Sequence, residues 1–244
     1  MVAEILAQNS EQVLASLVLY LPLEEKPRPR YSVRMFIYCV RHGQTPGNAE
    51  KRHQTPDTPL SLVGEEQAAK VAERLADIAF HEIWTSPYTR ARQTADIINS
   101  YHHLPIHVVP ALAELRRGPA LEGKLYNDPS IQHLNEELTL HADDPTFKLP
   151  GSESTADFAG RLGDVVQALE VHAANQSEDA HLCVVAHGIS LSTLIARILL
   201  GRHATPTILH DMVRRTWLDN TGVSILNYHE NTWRVLTVND QRHL

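Results

Sequence analysis

Five polar residues of this chain sit where a helix-and-sheet protein keeps its ligands. Arg41 and His42 follow the apolar, β-prone run Met35–Val40 and precede Gly43. Arg90 opens a helical segment reached from the strand Glu82–Thr85 through Ser86, Pro87, Tyr88 and Thr89. Glu114 lies beyond the strand Ile106–Val109. His187 and Gly188 follow the run Leu182–Ala186, again just before a helix. Sheets covered by helices bind ligands in the loops beyond the carboxyl ends of their strands. Two arginines and two histidines gathered there offer a local positive patch for a small anion.

Each residue alone has an ordinary reading. A lone histidine after a strand is most often a cap, Arg90 beside Arg92 reads as solvated charge, and Glu114 beside Arg116 and Arg117 reads as a surface pair. The recurrence at four strand ends is what points to a site. His102, His103, His133, His141, His203 and His210 lie at helix ends or in a polar stretch and are not candidates. No histidine or cysteine pair has HExxH or CxxC spacing, so no metal site is expected.

The elements that must position these residues follow from patterning. The chain has 244 residues, 43% apolar and 21% charged, enough for one large α/β domain with a real core. A net charge of −7 gives no footprint for nucleic acid. Strands are expected at Met35–Val40, Glu82–Thr85, Ile106–Val109, His181–Val185, Ser224–Tyr228 and Thr232–Val238, the last two joined by a hairpin at His229–Asn231. Helices are expected at Ser61–Phe80, Thr89–Tyr101, Ser154–Ala173 and Ser190–Leu200, with short helices and loops across Pro119–Leu149. Alternating strands and helices give an α/β sheet with helices on its faces. Cys39 and Cys183 lie in apolar runs and read as buried, reduced thiols.

Residues 1–34 stand apart as an N-terminal extension and basic, proline-punctuated linker, either packed on the domain or serving a homodimer or partner contact. Their apolar run Val13–Leu23 is too short to span a membrane and lacks the flanks of a signal peptide. The expected setting is cytoplasmic or nuclear.

Taken in order, these segments resemble a known family. Arg41-His42-Gly43-Gln44-Thr45 with Asn48 is similar to the RHGxTxxN signature of the histidine phosphatase superfamily, the phosphoglycerate mutase-like enzymes. Asp57–Ala68 resembles its D-x-P-L-[ST]-x-x-G-x-x-Q-A segment, Ser86–Ala95 its SPxxRAxQTA segment, and Ala186-His187-Gly188 its second histidine motif. Asn220–Ser224 and Val238–Asp240 look like its last strands. The resemblance covers about residues 35–244 and implies a single three-layer α/β/α sandwich with a mostly parallel sheet. It further implies that His42 is the nucleophile and forms a phosphohistidine. Arg41, Arg90 and His187 would clamp the phosphate, with Asn48 and Thr45 as further substrate contacts and Gly43 and Gly188 letting backbone approach. Glu114 matches the family's acid position, with Glu122 as the alternative. A carboxyl that donates must first hold a proton, so partial desolvation is expected there.

No cofactor is expected, because arginine and histidine supply the positive charge. The partner is a small phosphorylated substrate, not nucleic acid or a membrane. The family holds both mutases and phosphatases. Its mutases usually read Glu-Arg-His-Tyr-Gly after the acid; here the segment is Glu114-Leu-Arg-Arg-Gly118, which favours a phosphatase, expected of the histidine acid phosphatase type, over a mutase or an inactive binding module. The insert at about 119–150 should form a lid, and Arg116, Arg117 and Lys124 could read a second anionic group.

Overall fold

The computed structural model describes residues 34–176 and 179–244. The N-terminal extension, with its expected partner contact, lies outside the described residues apart from Arg34. The described residues form one compact unit. Strand β1 (Met35–Arg41) is followed by a single helical turn, α1 (Pro46–Ala49), then α2 (Leu62–Leu75), β2 (Glu82–Thr85), α3 (Thr89–Asn99) and β3 (Ile106–Val108). The insert carries a 3₁₀ turn at Pro129–Ile131 and helix α4 (Gln132–Leu140). The chain continues with α5 (Thr155–Ala174), β4 (Ala180–Ala186), α6 (Gly188–Leu200), α7 (Pro206–Arg215), β5 (Val223–His229) and β6 (Thr232–Asp240).

The six strands form one sheet in the order β3-β2-β4-β1-β5-β6. β1 to β4 run parallel, and β5 and β6 are antiparallel additions. β1 and β4 are central, which explains their apolar runs Met35–Val40 and Leu182–Ala186: both faces are covered. Side chains alternate across the sheet. Ile37 and Cys39 pack with Leu182 and Val184 against α5 and α6. Tyr38 and Val40 pack with Cys183 and Val185 against α2 and α3. These are the three layers expected. Cys39 and Cys183 are free, buried thiols on opposite faces, and burial pushes Cys39 up to about 12, so it is inert at neutral pH.

Register decides what meets at the sheet's upper edge. Arg41 pairs with Ala186, so the next residues, His42 and His187, leave two adjacent parallel strands side by side. Thr85 pairs with Val185, which brings Ser86 beside them.

Most boundaries fall within a few residues of expectation. α2 stops at Leu75, short of the expected Phe80, and α3 at Asn99, short of Tyr101. α6 begins at Gly188, two residues earlier than expected, because His187 itself is its N-cap. The hairpin turn holds Glu230 and Asn231 at φ of 51° and 56°, the primed-turn geometry that matches strand twist. Two helices were not read from the sequence, α1 and α7. Both begin with the same device, a threonine N-cap whose hydroxyl accepts an amide bond, followed by proline at the first helical position. Among the described residues no helix is long and apolar enough to cross a membrane.

Candidate active site

The loop after β1 is fixed before any ligand arrives. His42 N–H donates to Ala186 O at 2.9 Å, Gly43 N–H to Thr94 Oγ1 at 3.1 Å and Gln44 N–H to Gln67 Oε1 at 2.9 Å. Thr94 and Gln67 belong to the segments that accompany the Arg41-His42-Gly43 turn in the sequence, and their part is to satisfy its backbone donors. Gly43 is required sterically. A Cβ there would stand 2.3 Å from Gly64 O, and one on Gly64 would stand 1.9 Å from Gln44 O. The turn and the first turn of α2 can interlock this closely only as glycines. Gly188 differs, since a methyl there would meet Arg41 at ordinary contact distance, 3.5 Å.

His42 is 3% exposed. Its Nδ1 faces Gly43 O at 2.7 Å. A carbonyl only accepts, so Nδ1 carries the proton and Nε2 holds the lone pair. Arg90 Nε donates to that Nε2 at 3.2 Å. Burial, then the charges of Arg90 and Arg41, hold His42 well below the usual imidazole range. Arg90 also donates to Thr55 O at 3.0 Å and lies over the Tyr88 ring. Arg41 donates through Nη1 to Leu218 O, lies over the Trp217 ring, and keeps its buried Nε without a protein acceptor.

His187 is fully buried beside His42, with ring centroids 5.1 Å apart. Its Nε2 meets Ser86 Oγ at 2.7 Å, and its buried Nδ1 has no hydrogen-bond partner. Burial is again the first cause of a pKa held well below normal, followed by Arg90 and His42.

Two buried neutral histidines have a consequence for stability. In the unfolded chain they titrate near 6.5. Below that value, and above their lowered folded values, the unfolded state binds more protons, so stability falls as pH falls. Thermal unfolding at about pH 5.5 should therefore begin several degrees below that at about pH 7.5. An unchanged or higher midpoint in acid would contradict the neutral assignment.

Glu114 accepts from the amides of Ile189 at 3.0 Å and Ser190 at 3.1 Å, in the first turn of α6, and from Leu115 N–H at 3.0 Å. Its loop is pinned by Arg161 of α5. That guanidinium reaches Ala111 O, Ala113 O and Glu114 O at 2.6, 2.8 and 3.2 Å while pairing with buried Glu153 at 2.7 Å. Arg161 was not among the expected residues. Its signal is invisible in sequence, because it acts on carbonyls about fifty positions away.

Arg41, His42, Arg90, Asn48, Glu114 and Gly188 line one cavity of about 510 Å³. Thr45 does not. It is fully buried, caps α1 and donates to Gln54 Oε1 at 2.8 Å. Asn48 Oδ1 accepts from the Thr45 amide at 3.1 Å, which orients that side chain on the wall. The insert supplies Glu122, Tyr126, Asn135 and Leu138 to the wall, and α7 with its exit supplies Val213, Thr216 and Trp217. Arg116 and Arg117 also line the cavity, whereas Lys124 does not and lies 4.0 Å from Asp128. Among the described residues no three His, Cys, Asp or Glu side chains gather as a metal site.

Comparison with known proteins identifies the family and the fold. The model of the histidine phosphatase superfamily (branch 1) matches residues 37–241. A probable phosphoglycerate mutase, GpmB, of Enterobacter sp. is 33% identical over 81% of this chain and 86% of its own length. PhoE of Bacillus subtilis, an uncharacterized phosphatase, is 30% identical over 85% of this chain and 96% of its own. Among solved structures, YhfR of Bacillus stearothermophilus superposes with a TM-score of 0.73 at 27% identity, covering 86% of this chain and 98% of that one. A mycobacterial glucosyl-3-phosphoglycerate phosphatase complexed with VO3 superposes at 0.67 with 28% identity, covering 84% and 98%.

Proposed function

This chain belongs to the histidine phosphatase superfamily, and we propose that its reaction is hydrolysis of a phosphate monoester through a phosphohistidine on His42. The observation that carries this reading is the His42 ring itself. Its proton is tied to Gly43 O, and its lone pair lies on the cavity wall against Arg90.

An entering phosphate takes Arg90 onto its oxygens and frees His42 Nε2. Arg41, through its unpartnered Nε, completes the clamp, and Asn48 adds a hydrogen bond. His42 Nε2 attacks phosphorus in line, the ester P–O bond breaks, and Glu114 passes a proton to the leaving alkoxide. Water then attacks phosphorus, the N–P bond breaks, and Glu114 takes the proton back. In this reading the guanidinium groups supply the positive charge and no metal takes part.

The phosphatase reading is favoured over a mutase by the segment Glu114-Leu-Arg-Arg-Gly118, which departs from the mutase pattern. It also draws support from PhoE and the mycobacterial phosphatase, while GpmB carries the mutase name. The family matched is branch 1 of the superfamily, so the narrower histidine acid phosphatase type expected from sequence is dropped. GpmB and PhoE are bacterial proteins, which leaves the nuclear setting without support and favours the cytoplasm.

The test is phosphate release from p-nitrophenyl phosphate in excess EDTA, with isomerisation of 3-phosphoglycerate primed by bisphosphoglycerate as the competing assay. Release without isomerisation supports the phosphatase; efficient isomerisation would overturn it. On an alkyl phosphate such as β-glycerophosphate, whose alkoxide must gain a proton as it leaves, Glu114→Gln should lower kcat about 10²- to 10⁴-fold, the usual worth of a positioned general acid. Glu122→Gln should leave it nearly unchanged. The opposite pattern would move the acid to Glu122.

A further inference from the structure

The peptide of His42 is held from behind by a turn that takes no part in the steps above. Asn220 Nδ2 donates to His42 O at 2.9 Å, and Thr221 N–H donates to Arg41 O at 3.0 Å. Thr221 is fully buried with φ at 57°, the left-handed region where a β-branched residue is an outlier. Such a conformation persists only where the surroundings fix it.

The fixing bonds have one consistent direction. The Thr221 hydroxyl donates to Asn220 O at 2.7 Å. Its single proton is thereby engaged, so it can only accept from His243 Nε2, 3.1 Å away. His243 Nδ1 then holds the lone pair and accepts from Arg74 Nη1 at 3.1 Å. Arg74 is anchored by Asp240, through the carboxylate at 2.6 Å and the carbonyl at 3.2 Å. Burial, with Arg74 adding to it and Asp240 opposing, keeps His243 below the usual imidazole range, in the neutral form this direction needs. Chains of aligned hydrogen bonds reinforce one another.

We propose that Arg74, His243, Thr221 and Asn220 form a positioning relay that holds the His42 peptide, and with it the attacking nitrogen, in register with the phosphate. The relay rests on His42 being the nucleophile. None of its four members lines the cavity, so they do not bind substrate. A misplacement of about 1 Å at a reacting atom can cost about a hundredfold in rate. The relay therefore acts on kcat and spares KM.

The experiment compares His243→Ala, His243→Gln, Thr221→Val and Thr221→Ser with wild type on p-nitrophenyl phosphate, beside thermal midpoints and His42→Ala. Glutamine offers one acceptor and one donor in place of the imidazole, and serine keeps the hydroxyl. His243→Ala and Thr221→Val should each lower kcat about tenfold, the loss of roughly one hydrogen bond's worth of positioning. KM should hold within about twofold, and the Gln and Ser variants should recover most of the rate. Wild-type kcat in both His243→Ala and Thr221→Val, with His42→Ala inactive, would overturn the relay and leave the nucleophile standing. So would a Gln variant that stays folded at the assay temperature yet is as slow as Ala. Full activity in His42→Ala would remove the nucleophile reading and the relay with it.

Discussion

Replacing His42 with alanine should lower phosphate release about 10⁴-fold or more, because no neighbour can take over the attack. The nearest imidazole, His187, turns Nε2 to Ser86 and is not on the cavity wall. The loss should be chemical and not structural. The His42 ring makes two side-chain hydrogen bonds, to Gly43 O and from Arg90 Nε, each worth about 1 kcal/mol. Arg41 and Arg90 remain, so the variant should still bind inorganic phosphate and vanadate while turning over nothing. A variant that is inactive because it is unfolded would bind neither, and calorimetry separates the two cases.

Arg90→Ala should be the next most damaging change, lowering kcat/KM by about 10³-fold, the range found for arginines that meet transferring phosphoryl groups. Arg90 is 3% exposed, and burial lowers its pKa only to about 10, so it remains a cation at neutral pH. Its fork is committed in two directions, to His42 Nε2 at 3.2 Å and Thr55 O at 3.0 Å. Arg90→Lys should not restore activity, because an ammonium cannot hold those two directions and still meet a phosphate oxygen. Arg90→Ala should also move the pH profile. Arg90 is the largest charge that lowers the His42 pKa. Removing it favours the imidazolium, so the pKa rises and the acid limb of kcat/KM moves to higher pH. An unmoved acid limb would mean that the limb belongs to another group.

The gathering of Arg41, His42, Arg90 and Glu114 around one cavity was legible in the sequence, with His187 beside His42 but off its wall. Arg41, His42, Arg90, Glu114 and His187 are polar breaks after apolar runs, and parallel pairing of β1 with β4 and β2 gathers the loops that carry them. What stayed hidden acts through backbone or across long separations. Asn220 holds the carbonyl of His42 and Arg161 three carbonyls of the Glu114 loop; neither residue type announces such a role. Thr45 hides its structural part for a related reason. It lies within the RHGxTxxN signature, yet its hydroxyl faces Asn48 and Gln54 and serves the helical turn. α7 was missed although Thr205 and Pro206 marked its start. Among the described side chains of that helix only Leu209 is buried, so its apolar pattern is thin while its end builds part of the cavity wall.

The central claim is that phosphorus passes through His42 Nε2. The protein would be mixed with p-nitrophenyl phosphate, quenched in alkali within the first turnover and mapped by mass spectrometry. The account predicts a single phosphorylated residue, His42, whose label is lost in acid, forms as fast as nitrophenol in the first turnover, and is missing from His42→Ala. Sustained turnover with no label on His42, or a label on Ser86 or His187, would contradict it.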